Sequence, residues 1–243
     1  MKIVSHRGNA PGFSELTPAA FEHALGLPIH GVECDVRISA DGVVVVHHDV
    51  TVDRTSDGSG PVAKKTLAEL RELNIGTDEN PQGMLTLDEL LGMVADAGDK
   101  HLYLEIKDPL LTSQVIEEQV ALRLRRAGLL TDPRIHVISF SHAAMRRMAR
   151  LTPDLERYYL RHDREIRFNR KDLLLSRPTG LGLSIRAGRS RPALVGSHGL
   201  PSYMWTVNDA EDMRFAEQLG VEVLATDDPQ LALDVLESAR PVD

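Results

Sequence analysis

Glu33 and Asp35 stand two residues apart within the stretch 31–49, GVECDVRISADGVVVVHHD. On a β-strand alternate side chains share a face, so this spacing puts both carboxylates on one side and Val32, Cys34 and Val36 on the other. Burying two such charges together is costly unless a cation offsets them, and a metal ion is the simplest candidate. Asp41-Gly42 is a strong hairpin signal, and the apolar run 43–46 leads back to His47, His48 and Asp49, so the turn is expected to return His48 toward the carboxylates. The stretch 101–107, HLYLEIK, repeats the pattern: Tyr103, Glu105 and Lys107 share one phase, and Leu102, Leu104 and Ile106 the other. Glu33, Asp35 and Glu105 together offer hard oxygen ligands that suit Mg²⁺ or Ca²⁺ better than zinc, with nothing in the spacing to choose between the two. His6 and His48 add two rings that titrate near neutrality, one able to give a proton while the other takes one. Arg7 and Lys107 bring positive charge, and an arginine fork matches phosphate oxygens. The chemistry described is that of a phosphodiester site.

Strands ending at a common place must position these groups. Lys2–Ser5 reads as a short buried strand running into His6-Arg7-Gly8, and Thr17-Pro18 opens a helix with a capping threonine and a proline at its first position. Residues 51–65 are rich in turn formers and lack a periodic apolar pattern, which predicts an irregular excursion. Thr66 with Glu69 and Thr86 with Glu89 each match a capping box and start two further helices. From residue 101 onward, strands alternate with helices expected over 111–127, 141–151, 165–175, 191–198, 210–219 and 229–238. Strands centred near residues 3, 32, 102, 135, 157, 181, 203 and 222, in 243 residues, predict an α/β fold of the TIM (β/α)8 barrel type, whose usual length is about 250 residues. The expectation is one domain, 1–243, with residues 50–83 forming a short cap insertion after the second strand. An open doubly wound sheet is the rival, but no Gly-rich phosphate loop follows the first strand.

A hydrophobic content of 42% is ample for a large core, and a net charge of −8 argues against nucleic acid as a partner. The one cysteine, Cys34, excludes an intrachain disulfide and suits a reducing, cytoplasmic setting. No segment reaches the roughly 20 apolar residues of a membrane span, and the N-terminus carries no export leader, so no integral membrane segment is expected. The oligomeric state is not legible.

Taken in order, His6-Arg7-Gly8, Glu15 with Thr17, Glu33-x-Asp35, His48-Asp49, Glu105-x-Lys107, Trp205-x-Val207-Asn208 and Thr226-Asp227 resemble the successive motifs of the glycerophosphodiester phosphodiesterase family over nearly the whole chain. Singly each is weak; in register they are specific. The resemblance implies hydrolysis of a small-molecule glycerophosphodiester to sn-glycerol 3-phosphate and an alcohol. It implies one divalent cation, Mg²⁺ or Ca²⁺, held by Glu33, Asp35 and Glu105, with His6 and His48 as the acid-base pair. Arg7, Glu15, Lys107 and Trp205 would bind substrate. The chain departs from the family pattern at Ser14-Glu15-Leu16-Thr17, where Pro-Glu-Asn-Thr is usual, so any bond made by that asparagine is lost. Two alternatives stay open: a lysophospholipase D-like phospholipid phosphodiesterase, and a barrel that binds phosphorylated ligands without catalysis.

Other residues carry blander expectations. His23, His30, His101, His136, His142, His162 and His198 lie outside any motif and are expected on the surface or in structural roles. His47 has the opposite phase to His48 and is assigned a structural place.

Overall fold

The computed structural model describes residues 1–107, 115–165 and 169–237. Nine strands lie in these segments: β1 (Lys2–Ser5), β2 (Gly31–Ile38), β3 (Val44–Val46), β4 (His101–Ile106), β5 (Ile135–Ser139), β6 (Glu156–Leu160), β7 (Gly180–Ser184), β8 (Ser202–Trp205) and β9 (Val223–Thr226). All but β3 pair in parallel in the order β1-β9-β8-β7-β6-β5-β4-β2, and pairing of β1 with β2 closes them into a barrel. The TIM-barrel expectation is met. The hairpin at Asp41-Gly42 is also present, with β3 antiparallel to β2 in the register Val36↔Val46.

The helices are α1 (Pro18–Gly26), α2 (Leu67–Arg71), α3 (Leu87–Asp96), α4 (Val115–Arg126), α5 (His142–Leu151), α6 (Arg170–Ser176), α7 (Ile185–Ser190), α8 (Ala210–Gln218) and α9 (Pro229–Glu237). The Thr17 hydroxyl accepts from Ala20 N, and both threonine capping boxes form, which fixes the starts of α1, α2 and α3. Two expected helices differ. The one placed at 165–175 begins at Arg170, because Asn169 caps it; residues 166–168 of that expectation lie outside the described residues, as do 111–114 and 238 of two others. The helix expected at 191–198 is instead a pair of single 3₁₀ turns, Pro192–Leu194 and Ser197–Gly199. Gly196 between them has φ +67°, which ends the helical path.

Apolar residues divide between two sides of the strands. Val32, Cys34 and Val36 of β2 and Leu102 and Leu104 of β4 pack outward against Leu90, Leu91 and Val94 of α3. Inside the barrel, Val4, Tyr103, Ile138, Tyr158, Tyr203 and Val223 fill the lower layers. Glu33, Asp35 and Glu105 share that inward phase but stand nearer the strand C-termini, where α/β barrels carry their sites. Part of the 50–83 segment folds round its own apolar cluster, with Val52, Val62, Leu70 and Ile75 gathered on Val45 of β3. Among the described residues no helix is long and apolar enough to cross a membrane.

Candidate active site

Neighbouring strands put the carboxylates together. In the β2/β4 register Asp35 lies opposite Glu105 and Glu33 opposite Tyr103, so one oxygen from each of Glu33, Asp35 and Glu105 lies within 4.8 Å of the others. Their exposures are 1%, 1% and 6%. Lys107 Nζ bridges two of them, 3.0 Å from Asp35 Oδ1 and 2.6 Å from Glu105 Oε1. Arg7 supplies the other positive charge, with Nε 3.3 Å from Asp35 Oδ2 and Nη1 donating to Glu15 Oε1 at 3.1 Å.

The turn after β1 aims two groups into this cluster. His6–Gly8 form a 3₁₀ turn in which Arg7 takes φ 58°, and this directs the Arg7 backbone N–H to Glu33 Oε2 at 2.9 Å. Gly8 follows with φ +67°, against the Phe21 ring, where a Cβ would come within 2.9 Å. The glycine is therefore required both for the conformation and for the space. His6 points its Nε2 toward Glu33 Oε2, 3.9 Å away, while Nδ1 is held 2.8 Å from Asp227 Oδ1. Asp227 also accepts from Asn9 Nδ2 at 2.9 Å and Asn208 Nδ2 at 2.8 Å. Against the upward push of burial, the bonds from His6, Asn9 and Asn208 hold the Asp227 carboxyl well below the usual carboxylate range.

The loop after β3 carries the second imidazole. His47 N donates to Asp35 O at 2.9 Å, and Arg37 Nε donates to His48 O at 2.8 Å, which fixes the chain on either side of His48. The His48 Nδ1 is 2.6 Å from Asp49 Oδ1. Arg54 closes the arrangement from residues 51–65: its Nε donates to Asp49 Oδ2 at 2.5 Å, and its Nη groups donate to both oxygens of Glu15, at 3.0 and 2.7 Å. Burial lowers His48 from the ordinary imidazole value, offset in part by Asp35. His47, as expected, faces away, with Nε2 3.0 Å from Thr51 O.

The electrostatics of the cluster suit a divalent cation. Burial, and then Asp35 and Glu105, force Glu33 far above the usual carboxyl value. Burial also lifts Glu105, to about 7, although Lys107 opposes it. Lys107 and Arg7 hold Asp35 down despite its burial. Two basic side chains thus leave part of the mutual repulsion uncompensated. Asp35 Oδ2 is moreover buried with no hydrogen-bond partner among the described residues, since Arg7 Nε, though near, lacks the alignment of a bond. Three converging carboxylates with an orphaned oxygen fit a hard, oxygen-seeking ion.

Trp205, at the end of β8, stands at the same rim. It meets Phe140 edge-on at 5.4 Å, and Lys107 Nζ lies 5.9 Å from the Phe140 ring. A depression of about 590 Å³ lined by Phe140, Arg161, His162, Asp163 and Trp205 opens beside it. Every residue singled out from sequence for the site is thus at this end of the barrel. Glu15 differs in detail, being engaged by Arg7 and Arg54. Sequence reasoning gave no part to Arg37, Arg54 or Asn9, and quoted Asp227 and Asn208 only within motifs; the carboxylate beside each histidine was the available signal.

The sequence model of the glycerophosphoryl diester phosphodiesterase family matches residues 6–231. The chain is 34% identical over 256 aligned residues to Probable glycerophosphodiester phosphodiesterase 1 of Mycobacterium tuberculosis, covering 98% of this chain and 93% of that protein. It is 28% identical to a glycerophosphodiester phosphodiesterase of Caldanaerobacter subterraneus, with 96% and 97% covered. Its fold superposes on the crystal structure of a glycerophosphodiester phosphodiesterase from Parabacteroides distasonis with a TM-score of 0.85 and 26% identity, over 98% and 97% of the two chains. The chain belongs to the glycerophosphoryl diester phosphodiesterase family, and is a hydrolase of glycerophosphodiesters.

Proposed function

We propose that the protein cleaves glycerophosphodiesters to sn-glycerol 3-phosphate and an alcohol by acid-base exchange between His6 and His48, at a divalent cation site formed by Glu33, Asp35 and Glu105. The observation that carries this reading is the pairing of each imidazole with its own carboxylate, Asp227 and Asp49, on either side of three buried carboxylates with an orphaned oxygen. A bound Mg²⁺ or Ca²⁺ would supply Lewis-acid polarisation of phosphoryl oxygen and neutralise charge. The protein's own groups do the rest. One ring takes the proton of the attacking hydroxyl, whether the glycerol 2-hydroxyl or water, and the other returns a proton to the departing alkoxide. Each carboxylate accepts from the ring's Nδ1–H, so Nε2 is the nitrogen free to exchange protons. Arg7 and Lys107 meet phosphoryl charge as it grows, and Glu15 sets the Arg7 guanidinium. Trp205 and the depression beside it receive the glycerol or the alcohol.

Residues 50–83 serve as a cap within a single domain, tied to the site by Arg54. The buried, unpaired Cys34 supports a reducing, cytoplasmic setting.

His6→Ala and His48→Ala test the mechanism. Each is expected to lower kcat by roughly 10²–10⁴-fold with the fold retained; wild-type rates in either would end the acid-base assignment. Product analysis on glycerophosphocholine against lysophosphatidylcholine tests the substrate, and cleavage of the lysolipid alone would favour the lysophospholipase D-like alternative.

A further inference from the structure

At the opposite end of the barrel three imidazoles converge that the phosphodiesterase site does not use. His30 precedes β2, His101 is the first residue of β4, and His136 lies near the start of β5. The pairings Gly31↔His101 and Tyr103↔His136 bring all three to the barrel floor. His30 stacks on His101 with centroids 3.8 Å apart, and His136 lies 5.1 Å beyond, itself stacked on Tyr103 at 4.2 Å. One nitrogen from each ring lies within 4.8 Å of the other two.

We propose that His30, His101 and His136 form a second metal site, selective for a transition ion of the Zn²⁺ class. Two features support this over a merely packed floor. First, His30 Nε2 is buried without a hydrogen-bond partner among the described residues, an orphan that a packed floor leaves unexplained and a metal ion would satisfy. Second, Glu156 Oε2 lies 3.0 Å from His136 Nδ1, out of line for a hydrogen bond but close enough for its charge to favour the proton on that nitrogen, which leaves the Nε2 lone pair facing His101. A carboxylate behind an imidazole is how metal-binding histidines are commonly oriented.

The geometry needs only a small adjustment. His101 Nδ1 and His136 Nε2 are 2.8 Å apart, sharing a proton. Zn–N bonds of about 2.0–2.1 Å in a tetrahedron put ligand nitrogens about 3.3 Å apart, so the pair must open by about half an ångström. A shallow depression lined by Lys2, Pro28, Ile29 and His30 gives solvent access for a fourth ligand, water. The ion would staple the segment before β2 to β4 and β5. Hard oxygens at the rim and imidazoles at the floor sort metals by softness, so the two ends of one barrel would hold different ions.

The test is Co²⁺ titration of the EDTA-stripped full-length protein in millimolar Mg²⁺, followed by visible absorption and calorimetry. Wild type and Glu33→Gln are both expected to bind one equivalent of Co²⁺ with the intense d–d bands of a four-coordinate ion held by three imidazoles and a water. His30→Gln and His101→Gln should lose those bands and weaken binding by roughly 100-fold or more, while the phosphodiesterase activity of His30→Gln, measured with whichever of Mg²⁺ or Ca²⁺ supports it, stays unchanged. His136 is the most buried of the three, so His30→Gln, at the edge of the floor, keeps the test available if His136→Gln does not fold. Co²⁺ binding that Glu33→Gln abolishes, or that His30→Gln leaves intact, would overturn the proposal.

Discussion

Replacing Asp227 by asparagine isolates what one carboxylate does for His6. The Asp227 carboxylate accepts three side-chain bonds, from His6 Nδ1 and Asn9 Nδ2 on Oδ1 and from Asn208 Nδ2 on Oδ2. An amide keeps the shape but brings one acceptor and one donor. With its oxygen toward His6 and Asn9, its NH₂ faces the Asn208 NH₂; turned round, it faces two donors. Asn208 cannot flip freely in response, because its Oδ1 already accepts from Thr226 Oγ1 at 3.2 Å and Asp227 N at 2.9 Å. A hydrogen bond to a charged group contributes about 1.5–3 kcal/mol, and in the proposed mechanism the carboxylate would also stabilise the ring when it carries a proton in the transition state. Losing that amount corresponds to a fall in kcat of roughly 10- to 150-fold, at 1.36 kcal/mol per tenfold. Because Asp227 acts through the His6 ring, KM should stay within about twofold of wild type. The assay is steady-state release of sn-glycerol 3-phosphate across a range of glycerophosphocholine concentrations, with thermal unfolding of each variant alongside. An unchanged kcat, or a loss confined to KM, would refute the claim that Asp227 positions a proton-transferring His6.

Two further outcomes follow from the same contacts. Arg54→Ala removes the clamp on Glu15 and Asp49; since the guanidinium is about half exposed, stability should fall by no more than about 1 kcal/mol. Turnover should nevertheless drop roughly 3- to 10-fold as Asp49 loosens beside His48, and a variant equal to wild type in kcat would show that the 51–65 segment does not support the site. The floor histidines predict a pH effect in metal-free protein. Folding lowers His30 and His101 to about 3 and 4, from 6.5. Between pH 6.5 and 4 the unfolded rings therefore bind protons that the folded rings refuse, so stability is full above about 6.5 and lost as pH falls. Discounted for partial exposure, the two together should cost about 2 kcal/mol by pH 4.5. Urea midpoints at pH 7.5 and 4.5 in EDTA check this, and an equal pH dependence in the His30→Gln/His101→Gln variant would contradict it.

Strand periodicity made the rim legible. Alternation in 31–38 and 101–107 alone put Glu33, Asp35, Glu105 and Lys107 inside the barrel, and barrel closure then required that His6 and Asp227, at the ends of adjacent strands β1 and β9, be neighbours. What periodicity does not carry is shear. His30, His101 and His136 belong to three separate segments, and only the stagger between strands brings them to one level, so each reads singly as an ordinary histidine. Arg54 was hidden for a different reason. Residues 51–65 have no repeating pattern, and their path is set by contacts with Val45 and Glu15 rather than by local preference. The two 3₁₀ turns at 192–199 are a third case, in which apolar spacing suggested a helix but Gly196 in a left-handed conformation broke it.

Whether Glu33, Asp35 and Glu105 hold a divalent cation needed for hydrolysis can be read from sn-glycerol 3-phosphate release from glycerophosphocholine by EDTA-stripped protein, before and after adding back Mg²⁺ or Ca²⁺. No measurable turnover is expected in the stripped enzyme, with recovery on adding one of the two ions, and Glu33→Gln is expected not to recover. Undiminished turnover after stripping would contradict it.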